Sequence, residues 1–420
     1  MGRTIAEKIL SARLGRPVRA GEYVVAPVDL AYSHDANRPL PMSLLGDLGA
    51  ERVWDPARYV LCLDHYPSPT DAVAKAHHTL RAFAEAQGVR VFDVGAGISH
   101  IVLAEHGMVG PGDVVIASDS HTCTLGALGA FATGVGSSDL AAVLATGAIW
   151  LRVPDTLRIT CSGRFGAGVT AKDLTLEIAR RIGADGATYK AIEYAGEPIR
   201  SLPMDQRFTL SNMAIEFGAK CGFTGVDAIT LDWLAAHGRS GGEELLGDAD
   251  ADVEHVAIDL DALEPTVAAP HSPVHSRPAG TFADVAVDQV VIGTCNNGRL
   301  DDLAVAARIL RGRRVAPGVR LYVTPGSRKT MAEAMESGAL GAILGAGATI
   351  GTPGCSGCVG GCHWAIPADG DVVLTTANRN FRGRLGNKNA AMYLASPATA
   401  AASALTGRIT DPRPYLGGEA

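Results

Sequence analysis

Aromatic residues are scarce, at 5% of the 420-residue chain. The cores must therefore be built mainly from Ala, Val, Leu and Ile. A basic excess is also missing. The net charge is −7, which argues against a general nucleic-acid binder but leaves room for a local cluster of arginines facing an anionic substrate. The longest apolar run, near Leu140–Leu151, is too short to cross a bilayer, which takes about 20 residues. The opening MGRTIAEKILSARLGR carries neither an apolar signal core nor a small-residue cleavage site, and position 6 lacks the Ser or Thr of a myristoylation pattern. These absences lead us to expect a cytoplasmic protein with no membrane segment. In a reducing compartment its eight cysteines stay free, so clustered ones point to metal binding or catalysis rather than disulfides. No internal repeat of solenoid period is evident.

Glycine, by contrast, is abundant, with 50 residues, and the length allows two to four domains. Apolar strand-like runs recur at 58–65, 89–97, 113–121, 289–295 and 320–326, each closed by Gly or a polar residue. Helical patterns lie between them. Residues 70–88 have helical apolar spacing and a glycine stop. The run SSDLAAVLATGAIWL predicts a helix capped by Ser138, and SPATAAASALTG has Ser-Pro to start and Gly to stop. Such alternation implies α/β architecture with largely parallel sheets. Asp64-His65, Asp119-Ser120-His121 and Cys295 each follow a strand directly, where parallel sheets gather ligands. Between Glu243 and Glu264 lie nine acidic residues and no Lys or Arg. With the Pro/His stretch that follows, 237–280 reads as a connector.

The stretch TPGCSGCVGGCHW (352–364) places Cys355, Cys358 and Cys362 within eight residues. Cys355-x-x-Cys358 lets two thiolates meet one metal or cluster. With Cys362 and His363 it could equally complete a closed tetrahedral zinc site, and spacing alone favours neither. Cys295, in VVIGTCNNGR, read singly is an ordinary core cysteine.

GTCNNGR followed by PGCSGC resembles the two signature segments of the aconitase family. The resemblance runs in order along nearly the whole chain: DHYPSPT, GAGISH, SDSHTCTLGALGAFATGVGSSDLAAVLATG, IGADGATYKAIEYAGE, LSNMAIEFGAK, NRNFRGRLGN and YLASPATAAASALTGRITDP. It implies three α/β/α domains with mostly parallel sheets around a central cleft. We divide these at 1–155, 156–280 and 281–420, the last carrying the cluster cysteines. It further implies a [4Fe–4S] cluster held by Cys295, Cys355 and Cys358, with one iron left open to substrate; Cys362 then becomes a bystander. Cys62, Cys123, Cys161 and Cys221 are read as structural.

The implied activity is dehydration and rehydration of a hydroxy di- or tricarboxylate, most simply a 2-substituted malate. By the same resemblance Asp64 and His65 match an acid pair, and His100 and Asp119 match a second. His121 and Glu216 match groups beside the reactive water. Asn212 and Asn378 match amides around the cluster. Ser120, Arg379 and Arg384 match substrate contacts, the arginines as carboxylate clamps. No segment resembles the family's swivel domain, which carries the proton-abstracting serine, so a separate small subunit is expected. The chain departs from the family at Ser356-Gly357, at Thr294 and Asn296 around Cys295, and at HDANRPLP (34–41), where relatives have a substrate-contacting glutamine. The competing classes are an isomerase of another malate analogue, a regulatory nucleic-acid binder, and a zinc-stabilised binding protein.

Overall fold

The computed structural model describes residues 2–66, 70–360 and 366–417. Three parallel or mostly parallel sheets organise it. The first has the order Arg90–Phe92, Tyr59–Cys62, Leu30–His34, Val114–Ala117, Phe131–Gly134, all parallel. The chain fills one side of Leu30–His34 and then crosses to the other. The carboxyl ends of Leu30–His34 and Val114–Ala117 therefore flank a topological switch point, the usual place for a ligand crevice in such sheets.

The strands are apolar on both faces, as a sheet covered by helices requires. Ala31, Tyr59, Leu61, Val114 and Ile116 pack against the N-terminal helix Ile5–Leu14. Leu30, Tyr32, Val60, Val115 and Ala117 enter a second cluster with Leu103 and Phe208 on the opposite face. Each buried Val, Leu, Ile or Phe among them contributes about 1.5–3 kcal/mol.

The second sheet runs Cys221–Phe223, Ala191–Ala195, Thr156–Ser162, Glu254–Asp259, all parallel. The third has seven strands: Ser276–Pro278, Thr266–Ala268, Ala391–Leu394, Val372–Thr375, Gln289–Ile292, Arg320–Val323 and Thr349–Ile350. Only its first two strands join antiparallel. Its switch point lies between Gln289–Ile292 and Val372–Thr375, so Gly293–Cys295 and Thr376–Asn378 emerge side by side.

Two sequence expectations need correction. The run 237–280 is no connector: Glu254–Asp259 pairs along its length with Thr156–Ser162, and Thr266–Ala268 and Ser276–Pro278 belong to the third sheet. Its alternating Val256 and Ile258 supply the apolar face that the acidic count concealed. The helix of SSDLAAVLATGAIWL is capped by Gly136 rather than Ser138 and spans Ser137–Thr146. Gly147 stops it at φ +71°, and Ala148–Arg152 becomes a strand antiparallel to Tyr23–Pro27. Helix Asp71–Gln87 keeps its expected Thr70 cap and Gly88 stop. Pro397–Thr406 keeps Ser396 and Gly407.

Candidate active site

The first wall of the site is the switch point of the first sheet. Asp64 and His65 follow strand Tyr59–Cys62 and are buried. One Asp64 oxygen lies 2.6 Å from His65 Nδ1, and the other accepts from the Ser99 backbone N–H at 2.7 Å. The His65 main chain donates to Asp35 Oδ1 at 2.9 Å, and its ring stacks on His34 with centroids 4.3 Å apart. Burial works against the protonated ring, but the Asp64 carboxylate outweighs it, and His65 is raised to about 10.

Asp119 follows Val114–Ala117 and accepts the His121 N–H at 2.6 Å. Burial would raise its carboxyl, yet the surrounding His100, His34, His121 and His65 hold it well below the usual range. His100 Nδ1 stands 3.8 Å from Asp119 Oδ1. Among the described residues neither His100 ring nitrogen has a hydrogen-bond partner, and burial drives the ring down to about 4. His121 Nε2 meets Glu216 Oε1 at 2.9 Å, and its Nδ1 lies 3.2 Å from Ser120 Oγ. Arg379 Nε reaches Glu216 Oε1 at 2.7 Å.

The second wall is the switch point of the third sheet. Gly293 turns at φ +142°, where a Cβ would meet the Thr324 carbonyl oxygen at 2.5 Å. Thr294 follows at φ +67°, a region few side chains other than Asn and Asp adopt. The turn presents Cys295 to Asn212, whose Nδ2 donates to the sulfur at 3.3 Å, and to Asn378 Oδ1 at 3.5 Å. Asn378 Nδ2 also donates to Asn212 Oδ1. Burial pushes the Cys295 thiol up to about 12.

Cys355 and Cys358 share a hydrogen bond, and Arg384 Nη2 lies 2.8 Å from Cys358 Sγ. That sharing, followed by the guanidinium charge, favours thiolate on Cys358 and thiol on Cys355. The Cys355 N–H donates to the Asp64 carbonyl at 2.8 Å, which ties the two walls together. Cys362 and His363 lie outside the described residues, as does the zinc alternative that needs them.

The structure thus brings Asp64, His65, His100, Asp119, Ser120, His121, Glu216, Arg379, Arg384, Asn212, Asn378 and the cysteines 295, 355 and 358 into one linked network. It also draws in residues to which the sequence reading gave no role. His34 and Asp35 end a strand as Asp64-His65 does, and that repeated pattern was the available signal. Asp35 is fully buried and accepts from His65, Tyr66 and His77. Lys172 is the other addition. Cys123, read as structural, is buried with its thiol 3.5 Å from the Asn212 carbonyl.

A model of the family described as "Aconitase family (aconitate hydratase)" matches residues 63–283 and 274–407. The chain belongs to the aconitase family. Across 419 residues it is 48% identical to the 3-isopropylmalate dehydratase large subunit 1 of Methanopyrus kandleri, covering 99% of this chain and 100% of that one. It is 47% identical over 421 residues to the 3-isopropylmalate dehydratase large subunit 1 of Thermotoga maritima, covering 99% and 100%. A crystal structure of Thermococcus kodakaraensis aconitase X, in its holo-form, superposes with a TM-score of 0.52 at 13% identity over 90% of this chain and 89% of that one, a likeness of fold.

Membership of the aconitase family implies an iron–sulfur cluster, and the donor set fits one. Soft thiols suit iron. Burial pushes the Cys295 thiol up, so metal binding there is coupled to release of its proton. Amide and guanidinium donors already point at the sulfurs. No helix among the described residues is long and apolar enough to cross a membrane.

Proposed function

We propose that the chain is the large subunit of a 3-isopropylmalate dehydratase, a hydro-lyase that moves a hydroxyl between adjacent carbons of a 2-substituted malate. The observation that carries this reading is the tie between the two walls, where the Cys355 N–H meets the Asp64 carbonyl and sets a thiol trio against two histidine–carboxylate pairs. The naming of the full-length relatives supports it. We further propose the division into units at 1–155, 156–280 and 281–420, and a cytoplasmic setting in which the thiols stay reduced.

Cys295, Cys355 and Cys358 would hold a [4Fe–4S] cluster, which with one iron free of protein sulfur supplies a Lewis acid. Arg384 directs Nη2 at Cys358 Sγ, and its other terminal nitrogen is assigned to a substrate carboxylate. Arg379, turned toward Glu216, offers its remaining nitrogens to a second. His65 is occupied at Nδ1 by Asp64 and carries its transferable proton at Nε2. That proton goes to the departing hydroxyl, which leaves as water while the C–O bond breaks. The C–H proton on the neighbouring carbon goes to a base, and the C=C bond forms. Rehydration returns H and OH to the exchanged carbons. His100, held neutral, offers a lone pair rather than a proton. The C–H base is assigned to a separate small subunit, the partner that the large-subunit naming of the relatives implies.

The test is anaerobic co-production with the small subunit, iron analysis, and rates on 2-isopropylmalate, homocitrate and other 2-substituted malates. Turnover of 2-isopropylmalate is expected. Turnover of homocitrate alone would keep the centre and change the substrate. An intact cluster with bound partner and no turnover of any such acid would overturn the reading.

A further inference from the structure

Lys172 is fully buried, and among the described residues no carboxylate contacts it. It sits in the first turn of helix Ala171–Ile182, where the helix dipole disfavours a cation. Burying an unpaired ammonium is among the most unfavourable things a fold can do, so the position calls for a local reason.

The reason lies in what Nζ touches. It is 2.7 Å from Asn296 Oδ1, 2.7 Å from the Ala377 carbonyl and 3.3 Å from the Thr376 carbonyl. All three are acceptors. An ammonium has three protons to give and fits them. A neutral amine has two and would turn its lone pair on the third oxygen, so the geometry favours the charged form, against burial, which lowers the group to about 7. The Met213 sulfur, at 3.9 Å, completes the surroundings. Asn296 follows Cys295, and Thr376–Ala377 leads into Asn378, so the lysine joins the two segments that leave the third sheet at its switch point. It does so from a helix belonging to the second sheet's layer. Burial is the largest influence and disfavours the charge; Cys295 and then, at a distance, the carboxylates of Glu216, Asp173 and Asp302 work the other way.

We propose that Lys172 is a positioning residue for the cluster. It clamps the Cys295 turn to the Asn378 segment, and its buried charge balances the negative charge of thiolates and cluster. This rests on the reading above that Cys295 is a cluster ligand. A fixed cation in a water-poor site stabilises the more negative, reduced state of a nearby cluster, one of the levers that set cluster potentials. Removing it lowers the potential and loosens the cup.

Lys172→Met keeps an unbranched side chain one atom shorter and removes the charge. Wild type and variant, purified anaerobically, are compared by iron content over time after dilution, by circular dichroism, and by the reduced-to-oxidised cluster ratio at fixed ambient potentials, read by electron paramagnetic resonance. The expected result is an unchanged circular dichroism spectrum, faster iron loss, and a reduced-to-oxidised ratio at least tenfold lower. Tenfold corresponds to about 59 mV for a one-electron couple. A purely structural role would move iron retention but leave the ratio alone, and that result overturns the charge assignment. If Lys172→Met does not fold, Lys172→Gln retains donors without charge and is read by the same ratio, where an unchanged value is equally fatal. Wild type lacking iron would overturn the cluster reading itself; wild type with a full cluster and an unaffected variant would overturn only the role of Lys172.

Discussion

His65 and His100 are the same side chain placed beside the same kind of partner, yet they end at opposite ends of the histidine range. The difference is contact. His65 has Asp64 at 2.6 Å and is raised to about 10, whereas His100 has Asp119 only at 3.8 Å, and burial takes it down to about 4. Titratable groups driven apart in this way mark acid and base assignments, which supports the proposed role of His65 as proton donor. Asp64→Asn should then shift the alkaline limb of the kcat–pH profile to lower pH and reduce kcat about 10²–10⁴-fold; an unmoved limb would remove His65 from the acid role.

The same shift has a stability consequence. A raised histidine stabilises the fold fully below its ordinary value near 6.5, and that contribution is lost as pH rises through about 10. Melting of the metal-free chain should therefore fall from pH 6.5 toward 10, and less steeply in Asp64→Asn. The Asp-His dipeptide at 64–65 was legible in the sequence because it closes an apolar strand. Asp35, which holds the His65 backbone, was not assigned, since its partners lie 30 and more residues away. Lys172 was hidden for a different reason: its acceptors Asn296, Thr376 and Ala377 lie 124 and more residues away along the chain.

At the scale of elements, the turn after Gln289–Ile292 shows why glycine is needed where it stands. Gly293 combines a φ of +142° with a Thr324 carbonyl oxygen 2.5 Å from where a Cβ would sit. Gly357, between the paired cysteines, would drive a Cβ to 2.5 Å from a Val291 methyl. Gly293 lets the Cys295 turn leave Gln289–Ile292 hard against the Thr324 backbone, and Gly357 seats the Cys355–Cys358 loop on that strand. Gly293→Ala should destabilise the chain by about 1–3 kcal/mol and release iron faster. Gly357→Ala, whose clash is with a side chain that can shift, should retain more stability while still lowering iron content. Thermal melts and iron per chain check both. The short strands were readable from β-branched runs ended by Gly or Asp. The segment Ala148–Arg152 was not, because Ala, Ile, Trp and Leu continue the helical pattern past Gly147, and only antiparallel pairing with Tyr23–Pro27 makes it a strand. The acidic run before Glu254–Asp259 failed for the matching reason, since charge on an exposed face says nothing of the apolar residues alternating with it.

Across the whole molecule, the candidate site belongs to no single sheet. Asp64, His65 and Asp119 come from the first, Asn212 and Glu216 from the layer of the second, and the cysteines and arginines from the third. Groups on one such assembly can be positioned only when all three layers pack, which explains why sequence motifs named the participants but not their partners. It also separates the tasks. On the proposed reading, carboxylate binding, protonation of the leaving hydroxyl and cluster ligation fall to residues here, while abstraction of the C–H proton falls to the small subunit. Both steps are needed for turnover, whereas binding needs only the first set. The cluster-loaded chain alone should therefore bind a 2-substituted malate, seen as a perturbed electron paramagnetic resonance signal of the reduced cluster, and show turnover lowered at least 10²-fold, the lower range for loss of one general base. Titrating in the small subunit should restore the rate to saturation at a fixed stoichiometry without a second change in the spectrum. Full turnover by the isolated chain would place the base on a residue of this chain and remove the division of labour proposed for it.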